Sequence, residues 1–502
     1  MTDSRNNAIL ALKPISMKKL IQNPYFWIVI IIIAGAGLRF YNLGFKSLWY
    51  DEAVSYWNAQ GTVQEVVQHN VLRNSVPPTF NLMIHYISKF GNSEFMLRLI
   101  PCIAGILAIA AAFLLFKQFF GPAIACAPAL LLALSPFQIQ YSQVVRPYSM
   151  TMLTALLIVY FAYRITTEDK KINFIFYSIV LCFAVFLMYG LVFVIATTCI
   201  VFVIEVLRKK QFKKILPFTL SFVAPFISVC LVYNITLKHH MERASSGWGA
   251  ENYLQYTYWD GVLSSLPTYL VFNTESIVRL SYASETKTLL IALMLLGIYA
   301  CIKYKKFYPL IFAAIIFSIS TALGLASLYP YAGCRQTIYL TVPVYLLAGM
   351  GFYHLFQNRS TKPFFYIALS VFAAYGIMQS VEQLQKESFQ NVKPILSKLE
   401  SMSKPGDEIF TNQMSIPAVY YYLDRSPEDA KILYQGKKGI QANFDTLETL
   451  TSQTKRLWLA FTFCDDKAEK EVLSILSNKN AKFQTFYESD SGLQKLILAT
   501  FE

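Results

Sequence analysis

Apolar and polar positions follow two different rhythms along this chain. Through residues 1–381 the apolar residues gather into runs of 15 to 22, separated by short polar stretches; from residue 382 onward the runs shorten and alternate. A helix needs about 20 apolar residues to cross a bilayer, because no water inside the hydrocarbon can satisfy a backbone N–H or C=O. Eleven candidate spans follow, near 25–43, 97–116, 122–138, 148–163, 173–189, 191–207, 215–236, 288–302, 307–327, 338–357 and 364–381. Beyond them the alternation predicts strands at 407–411, 456–463, 482–488 and 493–501, with a helix at 468–477. The predicted fold is mainly α: a polytopic transmembrane helical bundle of about eleven spans over 1–381, and a small soluble α/β domain over 382–502.

Charge agrees with that division. Only 15% of the 502 residues are Asp, Glu, Lys or Arg, against about 25% in soluble domains. The tail holds 15 basic and 17 acidic side chains, while residues 1–381 hold 29 and 13, so the net charge of +14 belongs to the membrane part. A single soluble domain, a disordered chain and a disulfide scaffold are excluded. Nucleic acid is not indicated either, since the cations punctuate apolar runs and do not line a stacking groove. With a cytoplasmic N-terminus, 18 of the 29 cations fall on inner segments, among them Lys13, Lys18, Lys19, Lys117, Arg164, Arg208, Lys306 and Arg359. Such asymmetry is the positive-inside pattern. It predicts a multi-pass protein of the cell (inner or plasma) membrane, with the first span an uncleaved anchor and the tail outside. Six of the eight cysteines lie in the candidate spans; Cys334 and Cys464 lie outside and isolated. No zinc spacing, Walker loop or dinucleotide loop occurs, which disfavours ATP-driven transport.

Sorting the remaining polar residues by side isolates a few that break the pattern. The first outer loop, about 44–96, is long and carries Asp51-Glu52 beside Trp49 and Tyr50, with amphipathic stretches such as 79–90 suited to surface helices. A carboxylate at an apolar–water boundary can act as a proton acceptor. The adjacent pair must diverge, so one is expected to be catalytic and the other structural; both marking a membrane interface is the plainer alternative. Arg146 and Arg335 each sit in a very short outer loop, where the positive-inside rule disfavours them. Arginine grips phosphate with a two-pronged fork and keeps its charge, so the pair suggests a lipid-phosphate site, with ordinary headgroup contact as the alternative. A third outer segment, 237–286, is rich in aromatics, including Trp248, Tyr253, Tyr258 and Trp259, as any membrane interface is.

The order of these residues resembles one known family. Arg39 ends the first span; Asp51-Glu52, Pro77-Pro78, Gly91, Glu94, Arg98 and Leu134-Ser135-Pro136 follow; then come Ser142-Gln143, Arg146 and Tyr148, and later Arg335, Tyr339-Leu340 and Pro343. This is similar to the polytopic GT-C glycosyltransferases typified by protein O-mannosyltransferases and aminoarabinose transferases, whose donors are polyprenyl-phosphate sugars. Val144 and Val76 depart from the family, which often has an acidic residue at the first position and His, Lys or Asp at the second.

The resemblance implies a glycosyltransferase site on the outer face, with Asp51 as base. Glu52, Glu94, Arg98, Arg146, Tyr148 and Arg335 would bind substrate. The partners implied are a polyprenyl-phosphate-linked sugar donor and a lipid, glycan or protein acceptor. No cofactor is indicated, and assistance by a divalent cation stays open. The chemistry agrees, because a phosphate leaves as a stable anion and needs no acid: one base and nearby positive charge suffice. A transporter or flippase of lipid-linked sugars is the competing class. It would ordinarily place ionisable groups mid-membrane and show internal repeats; here the spans are nearly uncharged, with Glu205 near a span end, and no repeat occurs. A non-catalytic scaffold would leave Arg146 and Arg335 unexplained.

Overall fold

The computed structural model describes residues 21–73, 76–245, 254–282, 284–386, 388, 390–412, 414–423, 455–463, 466–489 and 491–501. Arg5, Lys13, Lys18, Lys19, Trp248, Tyr253 and Cys464 lie outside these residues.

Every apolar run expected to span falls on a helix. Among the described residues seven helices are long and apolar enough to cross a membrane: Glu94–Phe120, Tyr148–Thr167, Leu191–Lys209, Phe212–Glu242, Phe307–Leu325, Arg335–Gln357 and Lys362–Gln385. The pair Pro122–Leu134 and Pro136–Ser142, bent by 61°, makes an eighth candidate. Pro24–Phe40, Lys171–Leu187 and Lys287–Lys303 are 17 residues each, at the lower limit of a span, so these helices do not confirm the expected count of eleven.

The bend has a sequence cause. Ser135 ends one helix in an extended conformation and its hydroxyl accepts from the Gln138 N–H, capping the next helix, whose first residue, Pro136, has no N–H to lose. Arg39, fully buried in Pro24–Phe40, fastens this break. Its guanidinium donates to the carbonyls of Leu132 (3.2 Å) and Ala133 (3.0 Å) at the negative end of Pro122–Leu134, and to the Ser142 hydroxyl (3.2 Å). Gly105 makes room: a Cβ there would overlap the Ser142 hydroxyl.

Contacts sort the helix ends into two groups. At one end Lys306 donates to the Phe119 carbonyl, Lys214 to the Ile165 carbonyl (2.9 Å), Lys117 lies over Tyr25 and Arg208 over Phe307. The opposite end carries residues 41–58, 94–98, 143–148 and 335, and the tail docks there. The first long loop folds as helices Tyr50–Asn58, Val63–Arg73 and Thr79–Ser88. Thr79–Ser88 is amphipathic as expected, but its Phe80 and Ile84 are buried within the protein.

The helix Lys362–Gln385 runs through the expected 381/382 boundary into the tail. The tail's sheet has the order β1-β2-β4-β3, with β1 Glu408–Phe410, β2 Arg456–Phe461, β3 Lys482–Glu488 and β4 Lys495–Thr500. β1 and β2 are parallel; β4 is antiparallel to both β2 and β3. Alternate residues of β2 face opposite sides, as a strand requires. Leu457, Leu459 and Phe461 pack with Val472 and Leu476 of helix Asp466–Ser477. Trp458 and Ala460 pack with Ile395, Leu399 and Val419 of helices Val392–Met402 and Ile416–Leu423. Ala53, from the first loop, belongs to this second core. The helix carrying Asp51 and Glu52 is therefore wedged between bundle and tail.

Candidate active site

The site forms where the first loop, the 143–148 loop and the turn at 335 meet beneath the tail. Glu52 is fully buried and takes both prongs of Arg98, Nε to Oε1 and Nη2 to Oε2, each at 2.8 Å. Its carboxylate also accepts from the backbone N–H of Val145 (2.8 Å) and of Trp49 (3.3 Å). The remaining Arg98 donors reach the carbonyls of Leu43, Lys46 and Ser47 at 2.9–3.1 Å. A buried ion pair in which every prong is bonded fixes the backbone around it. Gln143 adds to this by donating to the Arg39 and Tyr41 carbonyls (3.1 and 2.8 Å), which close the first helix.

One residue earlier on the same helix, Asp51 points elsewhere. Its Oδ2 accepts from Nη1 of Arg335, and the two side chains remain 17% and 20% exposed. Arg335 also lies over the Trp49 ring, 5.7 Å from its centre. Arg146 donates to the Ser55 hydroxyl (3.2 Å) and the Tyr148 hydroxyl (3.3 Å), and Tyr148 stacks under it at 5.9 Å. Burial works against the Arg146 charge, but Tyr148 and the nearby Asp51 outweigh it, holding the guanidinium above its ordinary pKa. Asp51, Arg146, Tyr148 and Arg335 thus come together from three separate loops.

A cavity of about 380 Å³ opens beside them, lined among others by Lys46, Trp49, Tyr141, Gln143, Tyr148 and Arg335. Glu52 and Arg98 also border it, with their charges spent on each other. Lys46 donates to the Gln383 carbonyl (2.9 Å); burial and the proximity of Arg98 and Lys386 push its ammonium pKa down. Among the described residues no group of three or more His, Cys, Asp or Glu side chains is placed to hold a metal.

Glu94 lies apart from the cavity. It accepts from Lys393 (2.6 Å) and from the Tyr422 hydroxyl (2.9 Å), both in the tail. Burial, then Glu94, raises the Tyr422 pKa. Tyr422 in turn accepts from the Leu48 N–H (2.9 Å), and Gln390 accepts from the Tyr50 N–H (2.7 Å). Trp57 donates to the Pro417 carbonyl (2.9 Å). Sequence reasoning missed these tail residues as supports of the site. The available signal was the run Tyr420-Tyr421-Tyr422, an aromatic density unusual on a solvated helix.

Residues 75–233 match the sequence model of a family described as dolichyl-phosphate-mannose-protein mannosyltransferase. No curated protein matches the chain in sequence. Crystal structures of ArnT from Cupriavidus metallidurans are similar in fold. The apo form has a TM-score of 0.61 at 12% identity, and the form bound to undecaprenyl phosphate 0.60 at 13%. These alignments cover 94% of this chain and 97% and 98% of the ArnT chains. The Archaeoglobus fulgidus oligosaccharyltransferase, crystallised with Zn and sulfate, aligns with a TM-score of 0.54 and 13% identity over 94% of this chain and 72% of its own. At these identities the likeness is one of fold.

Proposed function

We infer, from the GT-C fold this chain shares with ArnT and the archaeal oligosaccharyltransferase, that it is an integral-membrane glycosyltransferase. It takes a sugar from a polyprenyl-phosphate carrier and passes it to an envelope lipid, glycan or protein acceptor. The observation that carries this reading is the convergence of one partly exposed carboxylate, Asp51, with two arginines, Arg146 and Arg335, the second of which lines the adjacent cavity. The family match over 75–233 and the undecaprenyl phosphate held by one ArnT structure support the class of donor.

Asp51 is the base. It takes the proton of the acceptor hydroxyl as that oxygen bonds to the anomeric carbon; the bond from that carbon to the phosphate oxygen breaks, and the phosphate leaves with the electron pair. Arg335 and Arg146 stabilise the negative charge that grows on the phosphate. Tyr148 keeps Arg146 oriented. Attack in line with the departing phosphate inverts the anomeric centre. Glu52 and Arg98, bonded to each other, position the loop that carries Asp51, and Glu94 does the same through the tail. Positive-inside charge supports a cytoplasmic N-terminus, which places the site and the tail on the outer face.

The test is to hold the full chain in nanodiscs with a panel of polyprenyl-phosphate sugars and candidate acceptors, and follow release of polyprenyl phosphate. Asp51→Asn should cut turnover by about 10²–10⁴-fold, the usual contribution of a general base. Near wild-type turnover in that variant would remove Asp51 from the role. In proteoliposomes, transbilayer movement of labelled donor without its consumption would favour the flippase.

A further inference from the structure

Arg335 has two claims on it. It lines the cavity where the glycosyltransferase reading puts the donor phosphate, and its Nη1 is already bonded to Oδ2 of Asp51. The carboxylate oxygen that Arg335 holds is not available to accept from an acceptor hydroxyl. An arginine spent on a carboxylate is likewise poorly placed to give its fork to a phosphate. Other contacts limit how the two can share. The helix bearing Asp51 is fixed one residue on by the buried Glu52–Arg98 pair. Arg146 is engaged by Ser55 and Tyr148, so it does not replace Arg335 on the carboxylate. Arg335 lies over the flat face of Trp49, and both residues line the cavity, so the guanidinium borders the carboxylate and the open space at once.

We propose that Asp51 and the donor phosphate are mutually exclusive partners of Arg335, so that donor binding itself frees the base. This inference rests on the glycosyltransferase reading. Without donor, Arg335 closes over Asp51 and occupies its Oδ2. When the lipid phosphate enters, its higher charge and its several oxygens draw the guanidinium across Trp49, and Asp51 is left open to the acceptor. The donor therefore binds first. After transfer the polyprenyl phosphate still holds Arg335 and leaves last, whereupon the pair closes again.

The competition has a consequence that mere positioning would not. Neutralising Asp51 should tighten phosphate binding, because the rival for Arg335 is gone. The measurement is the affinity of undecaprenyl phosphate for the full chain in nanodiscs, for wild type, Asp51→Asn, Arg335→Met and the double variant. Asp51→Asn should bind about two- to fivefold more tightly, the worth of one partly exposed ion pair. Arg335→Met should bind more weakly, and adding Asp51→Asn to it should change nothing further. Asp51→Ser should reproduce the gain and guards against an effect peculiar to asparagine. If wild type binds and Asp51→Asn binds no better, or if the gain persists without Arg335, the competition is overturned while the donor assignment stands. If wild type does not bind undecaprenyl phosphate at all, the donor assignment falls and the competition with it.

Discussion

Asp51 and Glu52 share a charge and a helix, yet they end in different surroundings, because side chains one residue apart on a helix point roughly 100° from each other. Glu52 turns inward, where Arg98 and two backbone N–H groups enclose it. Asp51 turns toward Arg335 and keeps some contact with solvent. Removing one member of a buried, fully bonded pair strands the other, at a cost of about 3–5 kcal/mol, whereas a partly exposed pair is worth about 1 kcal/mol or less. Glu52→Gln should therefore lower the thermal unfolding temperature sharply and Asp51→Asn hardly at all. Equal losses from these adjacent, equally conservative changes would refute the division of labour. The sequence made the pair conspicuous and required that its members diverge. Which carboxylate faced which arginine depended on residues 46 and 284 positions away.

At the level of elements, the site is assembled by capping across long stretches of chain. Helix Val392–Met402 opens on Asn391, whose side chain makes no capping bond. The Ser47 hydroxyl does so in its place, accepting from the N–H groups of Val392 and Lys393 (both 3.2 Å) and donating to Asn391 (3.1 Å). The carbonyl of the same serine accepts from Arg98. One residue thus ties the tail's first helix to the ion pair beneath Asp51. Losing a cap of this kind costs about 1 kcal/mol. Ser47→Ala should speed hydrogen exchange at the Val392 and Lys393 amides by about fivefold, the factor such a cost implies. Unchanged protection there would mean that the tail helix is capped by other means. Strands β2 and β4 of the tail were readable as short apolar runs, since both are buried on both faces. The helix at Ile416–Leu423 gained its meaning only when its Tyr422 met Glu94 and Leu48 of the bundle.

For the whole molecule, the question is which way the two ends face. One end collects Lys117, Lys214, Arg208 and Lys306, and the other collects the cavity and the tail. Translocating Lys or Arg in short loops is unfavourable, so the cationic end should stay in the cytoplasm. In a variant with the native cysteines replaced, an impermeant thiol reagent applied to intact cells should label Ser477→Cys in the tail and miss Arg359→Cys. Both positions are exposed in the fold, so only sidedness separates them. The reverse labelling would invert the topology and move the proposed reaction to the inner face.

The sequence by itself determined that this is a helical membrane protein with a small α/β appendage, and which few charges are out of place in it. Those properties follow from local rules: the length of an apolar run, the alternation of a strand, the distribution of lysine and arginine among loops. Contacts between loops distant in sequence were decided only in three dimensions. The pairing of Asp51 with Arg335 and of Glu52 with Arg98, the burial of Arg39 against the broken helix pair, and the docking of the tail on the Asp51 helix all belong there. No local pattern encodes such meetings, because each charge finds its partner through the packing of the bundle as a whole.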